Sequence, residues 1–503
     1  MSQEKFKTRG GFILASIGAA VGLGNALRFP GLCAKYGGGT FLFIYLIALL
    51  VMGVPILNAE IALGRKVGGG APKCMARLNK KAEPVGWASC FNSLIVAIIY
   101  AGLLGWIIAM LIKIVPLCKA TSENPRTDAA GYFFTEVLNG NSFSPIVCGC
   151  IIAAWVVMYF CLRGGAKSLA ATAKFTVIIP IVLLLFFAIR GLTYSNSGKA
   201  LYALFVPDFK ALANGELWLT ALGQVFFSLS ILVGIMPAYG AYLPEGTNVF
   251  RDSLIIAGAD FFVSVLSSVV LFTTLYGCGL QNDISQSGIV TAFVVYPVAI
   301  TRVFSLSHPA LNGAVGVLFY FSLAMMAAQS AVSMIEAAAN PLAEKFKIKK
   351  KKLALFICLI GAAVCLTFAT PLAAAVVDIA DHFANYFNIL LLGVAESLLL
   401  GLSAKREDLV GEINRYTKRI RMPKKAFLIS LKVICPVVLC SLTAWGLYNF
   451  IFVEHLSYGS YPVWAQIIFG WVVSVIIFSS GFVIKLIDRG KGLRFIRRKK
   501  SLQ

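Results

Sequence analysis

The chain has 503 residues, of which 59% are hydrophobic and only 13% are charged, and its formal net charge is +23. This composition excludes a soluble globular protein, in which about a quarter of the residues are charged. The basic residues fall in short segments between apolar runs. The positive charge therefore indicates membrane topology, and we expect no nucleic-acid partner.

Apolar runs long enough to cross a lipid bilayer recur along the whole chain, since about 20 apolar residues suffice for one crossing. The pattern predicts an all-α membrane protein with about twelve transmembrane helices. No segment between the runs is long enough to form a separate soluble domain. In chain order, the predicted spans are 11–35, 40–63, 85–117, 145–162, 169–191, 217–242, 252–278, 310–341, 353–371, 383–402, 427–452 and 462–487.

The first span contains an unusual interruption, GAAVGLGNALRFP, which runs from Gly18 to Pro30. Each Gly weakens a helix by roughly 1 kcal/mol relative to Ala, and Pro30 removes a backbone donor. Backbone groups freed by an unwound turn must find partners inside a bilayer, and an ion with an anionic solute would supply them. Packing through small residues is the alternative, but it does not explain Asn25 or Arg28.

The sixth span carries a second candidate break. Polar residues occupy its middle from Gly223 to Ser230, and Gly234 follows them. Interrupted helices at the start of two halves of a chain are typical of transporters with inverted repeats. We therefore predict a single transporter domain over 1–503. Its repeats would cover 1–192 and 217–402, and two further helices with a basic C-terminal tail would cover 403–503.

Other polar residues within the spans suggest an ion path. Asp260 lies inside the seventh span, where a carboxylate is costly unless it is paired. Glu60 and Glu396 lie near span ends, and a structural role beside unwound backbone competes there with a role in transport. The twelve cysteines are scattered without zinc-ligand spacing, so we expect no metal other than a transported ion. No nucleophile with a matching base is visible, which makes an enzyme the least favoured class.

Basic clusters alternate with sparsely charged loops along the chain. They precede the first span, separate spans two and three, eight and nine, and ten and eleven, and follow span twelve. All of these segments would lie on one side, which the positive-inside rule identifies as the cytoplasm. We therefore predict a multi-pass protein of the inner (plasma) membrane with both termini cytoplasmic.

Spans one to ten resemble the neurotransmitter:sodium symporter family, and within it the prokaryotic amino-acid transporters, the group of the bacterial leucine transporter. The clearest match is Gly22-Leu23-Gly24-Asn25 followed by Arg28-Phe29-Pro30. Further matches are Gly-Phe-Ile-Leu-Ala at 11–15, Gly53-Val54-Pro55, Tyr100 with Trp106, Gly223-Gln224, Ser330 with Ser333 and Glu336, and Asp381 with Glu396.

The resemblance implies a first sodium site at the two breaks. The carbonyl of Ala20 and the side chains of Asn25, Ser228 and Asp260 would bind Na⁺ there. The carboxylate of the substrate would complete the site, because Na⁺ favours oxygen ligands. Binding of the ion and binding of the substrate would then depend on each other.

The resemblance also implies a second sodium site. The carbonyls of Gly18 and Val21 and the hydroxyl of Ser330 match the family there. Met326 and Gln329 occupy the remaining positions, where the family usually has smaller residues. The longer reach of Gln329 leaves open whether this second site holds an ion.

The implied substrate is an amino acid. Gly22 stands where family members that carry monoamines have Asp, which implies that the substrate brings its own carboxylate. The N–H groups near Leu23 and Gly24, with the hydroxyl of Tyr100, would hold that carboxylate at a half-helix N-terminus.

The wall of the implied substrate pocket is apolar, which implies a neutral side chain. Leu232 is larger than the residue usual in the family and would narrow the pocket. Val233 replaces a large aromatic residue and would widen it, so the two effects oppose each other. The implied lining residues are Val96, Tyr100, Phe227, Ser230, Val233, Ser330 and Met334.

Gates follow from the same resemblance. Arg28 and Asp381 would face each other at the outer edge of the site, where an Arg–carboxylate pair can close over a solute. Arg28 could instead anchor the helix end in the membrane interface. Tyr242 and Glu344 match inner-gate positions, and Lys5 could replace the Arg that the family has near its N-terminus.

Whether transport needs chloride depends on the residue at one position, Asp260. Chloride-dependent relatives hold an anion at positions that match Tyr45, Gln224, Ser228 and Ser264, and this chain keeps all four. It also has Asp260 where those relatives have Asn, so a fixed carboxylate would replace the chloride charge. We expect a sodium-coupled symporter that imports a small neutral amino acid by alternating access, without chloride.

Two alternatives remain open. One is a transporter of the same architecture that is driven by protons or by exchange. The other is a membrane sensor that binds an amino acid without moving it. The sequence leaves the identity of the amino acid, the number of sodium ions and the oligomeric state undetermined.

Overall fold

The computed structural model describes residues 5–487 except 141, 280–290, 404–405, 418–419, 454–456 and 460. Within those residues the chain forms helices and no β-strands. The basic tail that we predict after span twelve lies outside the described residues.

Ten of the described helices are long and apolar enough to cross a membrane, and one bent pair makes an eleventh crossing. The sixth predicted span forms two short helices instead of one. This agrees with the prediction of an all-α membrane protein with two broken helices. The helices are α1 (Arg9–Ala20), α2 (Gly24–Lys35), α3 (Gly39–Val67), α4 (Ala71–Leu78), α5 (Lys80–Glu123), α6 (Pro145–Leu162), α7 (Gly165–Leu192), α8 (Ser197–Phe205), α9 (Gly215–Ser228), α10 (Ile235–Ala241), α11 (Val249–Cys278), α12 (Thr291–Thr301), α13 (Pro309–Phe346), α14 (Lys350–Ala369), α15 (Ala373–Leu402), α16 (Arg406–Asn414), α17 (Lys424–Val453) and α18 (Val463–Ile487).

One predicted boundary is clearly wrong. The tenth span was expected over 383–402, but α15 begins at Ala373. The carboxylates Asp378 and Asp381 interrupt the apolar run just before the predicted boundary. In the structure both side chains line a water-accessible cavity, so the helix continues without placing them against lipid.

The first span breaks where the glycines predict. α1 ends at Ala20, Val21 has extended backbone angles, and α2 resumes at Gly24 with a bend of 50°. Two groups close the gap: the amide oxygen of Asn25 accepts the N–H of Gly22 at 3.0 Å, and the carbonyl of Ala19 accepts the hydroxyl of Ser230 at 2.8 Å. The break removes helical hydrogen bonds, and inside a membrane no water is available to replace them. These two bonds take their place.

The sixth span breaks between α9 and α10. Ser230, Leu232 and Gly234 have positive φ angles of 52°, 67° and 78°, which are unusual for a serine and a leucine. The N–H of Leu232 donates to Oε1 of Glu60 at 2.8 Å, and Glu60 is fully buried. Glu60 therefore has the structural role beside unwound backbone that the sequence left open.

α10 packs on α3 with almost no space between their backbones. A Cβ added to Gly64 would lie 2.1 Å from the carbonyl oxygen of Pro237, and one added to Gly240 would lie 2.3 Å from that of Ile61. Small residues allow such close approach between membrane helices. This contact fixes the short helix that follows the second break.

We expect Gly64→Ala and Gly240→Ala to lower the melting temperature of the purified protein in detergent. The added methyl group meets a backbone atom, and overpacking of this kind costs roughly 1–3 kcal/mol. Gly258→Ala in α11 is the matched control, because a Cβ there would meet nothing within 4 Å. Equal melting temperatures for all three variants would contradict the close helix contact.

Candidate ion and solute site

Three side chains meet where the two broken helices approach α11. We call Asn25, Ser228 and Asp260 the break cluster. Nδ2 of Asn25 lies 2.7 Å from Oδ1 of Asp260 and 2.9 Å from Oγ of Ser228. The Ser228 hydroxyl lies 2.8 and 2.9 Å from the two carboxylate oxygens of Asp260. Ala20 ends α1, so its carbonyl lies at the open end of a helix beside this break.

The break cluster continues into residues that the sequence analysis associated with chloride. Tyr45 donates its hydroxyl to Oδ2 of Asp260 at 3.1 Å, and Nδ2 of Asn25 lies 2.8 Å from Oγ of Ser264. Nε2 of Gln224 lies 3.5 Å from the carbonyl of Gly24, while its Oε1 is buried without a partner. The Asp260 carboxylate thus binds two of the four positions, Tyr45 and Ser228, directly, and Asn25 links it to a third, Ser264.

No lysine or arginine pairs with Asp260 within the described parts of the chain. The carboxylate is fully buried, and its partners there are the neutral groups of Asn25, Ser228 and Tyr45. A buried charge without an opposite charge is costly, so this environment fits a bound cation. The carboxylate and hydroxyl oxygens suit Na⁺ rather than a thiolate-binding metal, whereas Asn25 presents its amide nitrogen to the cluster and its amide oxygen to Gly22.

A second group of predicted residues meets around Gly18. Oγ of Ser330 lies 3.5 Å from the carbonyl of Gly18. A Cβ added to Gly18 would lie 2.7 Å from Cγ of Gln329, so the glutamine stem passes directly over the α1 backbone. Val21 follows at the break, and Met326 is buried one turn before Ser330 in α13.

The head of Gln329 reaches two threonines on α7 that the sequence analysis missed. Its Oε1 lies 3.0 Å from Oγ1 of Thr176 and 3.4 Å from Oγ1 of Thr172, while Nε2 is buried without a partner. The spacing of these threonines, four residues apart in a membrane span, puts both on one helix face. A polar site on α7 could have been predicted from this spacing in the sequence.

A small cavity of about 10 Å³ lies beside the second break, which is room for about one water molecule. We call it the inner cavity. Five predicted pocket residues line it, and Ser93, Phe226, Asn385 and Ile389 were not predicted. Leu232 does not line it, because its side chain packs toward Gly393. The predicted residues are Val96, Phe227, Ser230, Val233 and Met334.

The remaining predicted substrate residues surround Gly22. A Cβ added to Gly22 would lie 2.4 Å from Oγ of Ser330 and 3.7 Å from the ring of Tyr100. The backbone of Gly24 faces the hydroxyl of Tyr100. The ring of Phe227 covers Gly24, where a Cβ would come within 2.5 Å of it. An aspartate at position 22 would not fit in this conformation.

A large cavity of about 650 Å³ opens above Phe227, and we call it the vestibule. Arg28 and Asp381, the predicted outer-gate residues, both line it, and no ion pair joins them in the described structure. The guanidinium of Arg28 lies 4.9 Å from the centre of the Phe227 ring, and its Nη1 is buried without a partner. Asp381 instead accepts a hydrogen bond of 2.6 Å from Nδ2 of Asn385.

The opposite end of the site, which we call the N-terminal face, is closed by aromatic packing and ion pairs. The N–H of Phe6 donates to the carbonyl of Tyr242 at 2.9 Å, and the two rings pack edge to face. The hydroxyl of Tyr242 donates to Oε1 of Glu336 at 2.7 Å, and the ammonium group of Lys350 contacts both. Tyr242 thus belongs to an ion-pair cluster on α10, α13 and α14.

Glu344 and Lys5 have different partners from those suggested by the resemblance. Glu344 pairs with Lys73 of α4 at 2.8 Å, and Lys5 pairs with Glu245 at 2.7 Å. The Lys5 ammonium lowers the pKa of Glu245, although an exposed pair of this kind adds little stability. Sequence spacing did not predict these pairings, because the partners are distant from each other along the chain.

Comparison with known proteins identifies the architecture. The crystal structure of MhsT in complex with L-phenylalanine superimposes with a TM-score of 0.77 at 24% sequence identity, and the match covers 88% of this chain and 99% of that one. At this identity the likeness establishes the shared fold. The two broken helices fit this fold.

Sequence relatives cover nearly the full length. An uncharacterised sodium-dependent transporter of Methanocaldococcus jannaschii is 28% identical over 98% of this chain and 99% of the relative. The sodium-dependent neutral amino acid transporter B(0)AT2 of Rattus norvegicus is 26% identical over 91% of this chain and 76% of the relative. The profile of the sodium:neurotransmitter symporter family matches residues 3–123 and 137–489. The chain is therefore a membrane transporter, not an enzyme, and it belongs to the sodium:neurotransmitter symporter family.

Proposed function

We propose that this protein is a symporter that imports a neutral amino acid with Na⁺ and without chloride. The observation that carries the proposal is the buried Asp260 carboxylate, which joins both helix breaks through Asn25 and Ser228 and has no basic partner in the described structure. The names of the rat relative and of the ligand in the MhsT structure support a neutral amino acid as the substrate class.

The first sodium ion would bind at the break cluster. Its ligands would be the carbonyl of Ala20 and the side chains of Asn25, Ser228 and Asp260. At about 4 Å and an effective dielectric of 20, Na⁺ and a carboxylate attract by about 4 kcal/mol, which is enough to decide occupancy. A substrate carboxylate placed beside the ion would add a similar attraction, so each ligand would strengthen binding of the other.

A second ion would bind at Gly18, Val21, Met326, Gln329 and Ser330. Whether Gln329 can bind this ion depends on the orientation of its side-chain amide. Each threonine hydroxyl has one proton, and Oγ1 of Thr176 also lies 3.0 Å from the carbonyl of Thr172, one turn earlier. If the Thr176 hydroxyl donates its proton to that carbonyl, it can only accept from Gln329, which must then present its amide nitrogen to the threonines. Its oxygen is then free to bind an ion beside Gly18.

The substrate would lie between the vestibule and the inner cavity. Its carboxylate would bind the N–H groups at Leu23 and Gly24 and the hydroxyl of Tyr100, where the N-terminus of α2 favours negative charge. Carbonyl groups near Ala20 and Phe227 would accept hydrogen bonds from its ammonium group. The side chain would enter the inner cavity, whose small size and mostly apolar wall favour a small neutral amino acid.

Alternating access would use the two ends of the site in turn. In the conformation described above, the vestibule is open while Phe6, Tyr242 and Lys350 close the N-terminal face. Closure of the vestibule would bring Arg28 toward Asp381 over the substrate. We assign the N-terminal face to the cytoplasm of a plasma-membrane protein on the positive-inside rule, because the basic loops meet there.

We expect Asn25→Ala and Ser228→Ala to raise the Na⁺ concentration needed for half-maximal uptake by at least about tenfold. Each variant removes an oxygen ligand or the group that orients one. The assay is uptake of radiolabelled neutral amino acids into proteoliposomes, with Na⁺ or choline outside. Ser267→Ala is the matched control, because its hydroxyl is buried in α11 without a partner. Undiminished native uptake in choline would refute sodium coupling and leave coupling to protons or exchange.

We expect native uptake to persist when chloride is replaced by gluconate. The fixed charge of Asp260 lies among Tyr45, Ser228 and Ser264, and a second anion there would be repelled. Asp260→Asn removes that charge, and its residual uptake should then require chloride. Native uptake that collapses in gluconate would overturn the assignment.

We expect Arg28→Ala and Asp381→Ala to reduce the maximal rate of uptake by about tenfold or more while the protein still reaches the membrane. Each variant removes one partner of the charge pair that would close the vestibule. Arg126→Ala, on an exposed loop, is the matched control. If both variants transport at the native rate with native expression, Arg28 and Asp381 do not form a gate.

A further inference from the structure

The inner cavity contains a polar side chain that the proposed function does not use. Asn385 lines this cavity and is only 6% exposed. Its Oδ1 is buried and accepts no hydrogen bond, whereas its Nδ2 donates to Oδ1 of Asp381 at 2.6 Å. An uncommitted acceptor in a closed cavity is costly unless a ligand supplies a donor.

The orientation of this amide is fixed by chemistry. An ionised carboxylate can only accept hydrogen bonds, so Asn385 must turn its NH₂ group toward Asp381. The amide oxygen is then the atom left for the cavity. Asn385 lies in a π-helical segment of α15, Phe383–Asn388, and such segments are frequent at functional sites.

The other two polar side chains of the inner cavity, both hydroxyl groups, already donate their protons in hydrogen bonds to backbone carbonyls. The hydroxyl of Ser93 contacts the carbonyl of Val233, and that of Ser230 donates to the carbonyl of Ala19 at 2.8 Å. With the Asn385 nitrogen bound to Asp381, the three side chains offer the cavity oxygen lone pairs and no donor. A substrate side chain that carries a donor would complement this cavity, and a purely apolar one would bury an unpaired acceptor.

We propose that Asn385 is a specificity-determining residue of the substrate site, and that it selects neutral amino acids whose side chain carries a hydrogen-bond donor, such as a hydroxyl group. This inference rests on the proposed function, since it names the substrate class of the same site. It also connects recognition to the vestibule, because the NH₂ group of the same amide binds Asp381, which lines the vestibule.

The test compares isosteric substrates in which a hydroxyl replaces a methyl group. L-Threonine against L-valine and L-serine against L-2-aminobutyrate would compete for Na⁺-dependent uptake into proteoliposomes of the native protein. We expect the native protein to prefer the hydroxyl member of each pair by about tenfold. This comparison needs no variant, so it tests the proposal even where a substitution prevents folding.

Asn385→Leu keeps a similar volume and removes the acceptor. We expect it to shift the threonine-to-valine ratio toward valine by about tenfold, while uptake still requires Na⁺. Asn388→Leu is the matched control, because this buried asparagine of the same helix does not line the inner cavity. Loss of the bond to Asp381 would slow both substrates alike, so only the ratio reports on recognition.

The outcomes separate the two proposals. Na⁺-dependent uptake with valine equal to or better than threonine would overturn the role of Asn385 and leave the symporter intact. An unchanged ratio in Asn385→Leu would also overturn it, as expected if the amide bound the ammonium group common to all substrates. Absence of Na⁺-dependent uptake for every amino acid would overturn the proposed function, and with it this inference.

Discussion

A helix inside a bilayer can be interrupted only where other groups bind the backbone atoms that the interruption frees. This constraint governs the centre of the molecule. The amide oxygen of Asn25 accepts the N–H of Gly22, the Ser230 hydroxyl donates to the carbonyl of Ala19, and the Glu60 carboxylate accepts the N–H of Leu232. Each of these contacts replaces a helical hydrogen bond, and the bond from Ser230 to Ala19 joins the two breaks.

The positions of the two breaks also determine where a buried negative charge can lie. Because Asn25 and Ser228 stand at the two breaks, their side chains converge on one carboxylate, that of Asp260, on a continuous helix. Neutral donors stabilise this carboxylate, but they leave its negative charge in place. The break thus combines open backbone carbonyls with a fixed negative charge, an environment suited to a cation. An ion bound there would hold α2, α9 and α11 together.

The two ends of the site differ in the way they are closed. At the N-terminal face, ion pairs and rings packed edge to face connect separate segments, including Lys350 with Glu336 and Phe6 with Tyr242. At the other end, Arg28 and Asp381 face a cavity of about 650 Å³ and have separate neighbours. In the proposed alternating access, the charged groups at this end would form a new pair as the cavity closes, whereas the ion pairs at the N-terminal face would have to separate.

The sequence by itself determined the fold class, most span positions and both helix breaks. The length of an apolar run identifies a membrane span. A regular helix from Gly18 to Pro30 would be unstable, because its glycines cost free energy and Pro30 removes a backbone donor. Asp260 was recognisable as a candidate site residue because an isolated carboxylate in an apolar run needs an unusual environment. Only the tertiary structure decided which groups meet. It brought Thr172 and Thr176 to Gln329, since the periodicity of one helix says nothing about the face of another. It likewise placed Asn385 in the inner cavity and paired Lys73 with Glu344, because those contacts depend on how distant helices pack.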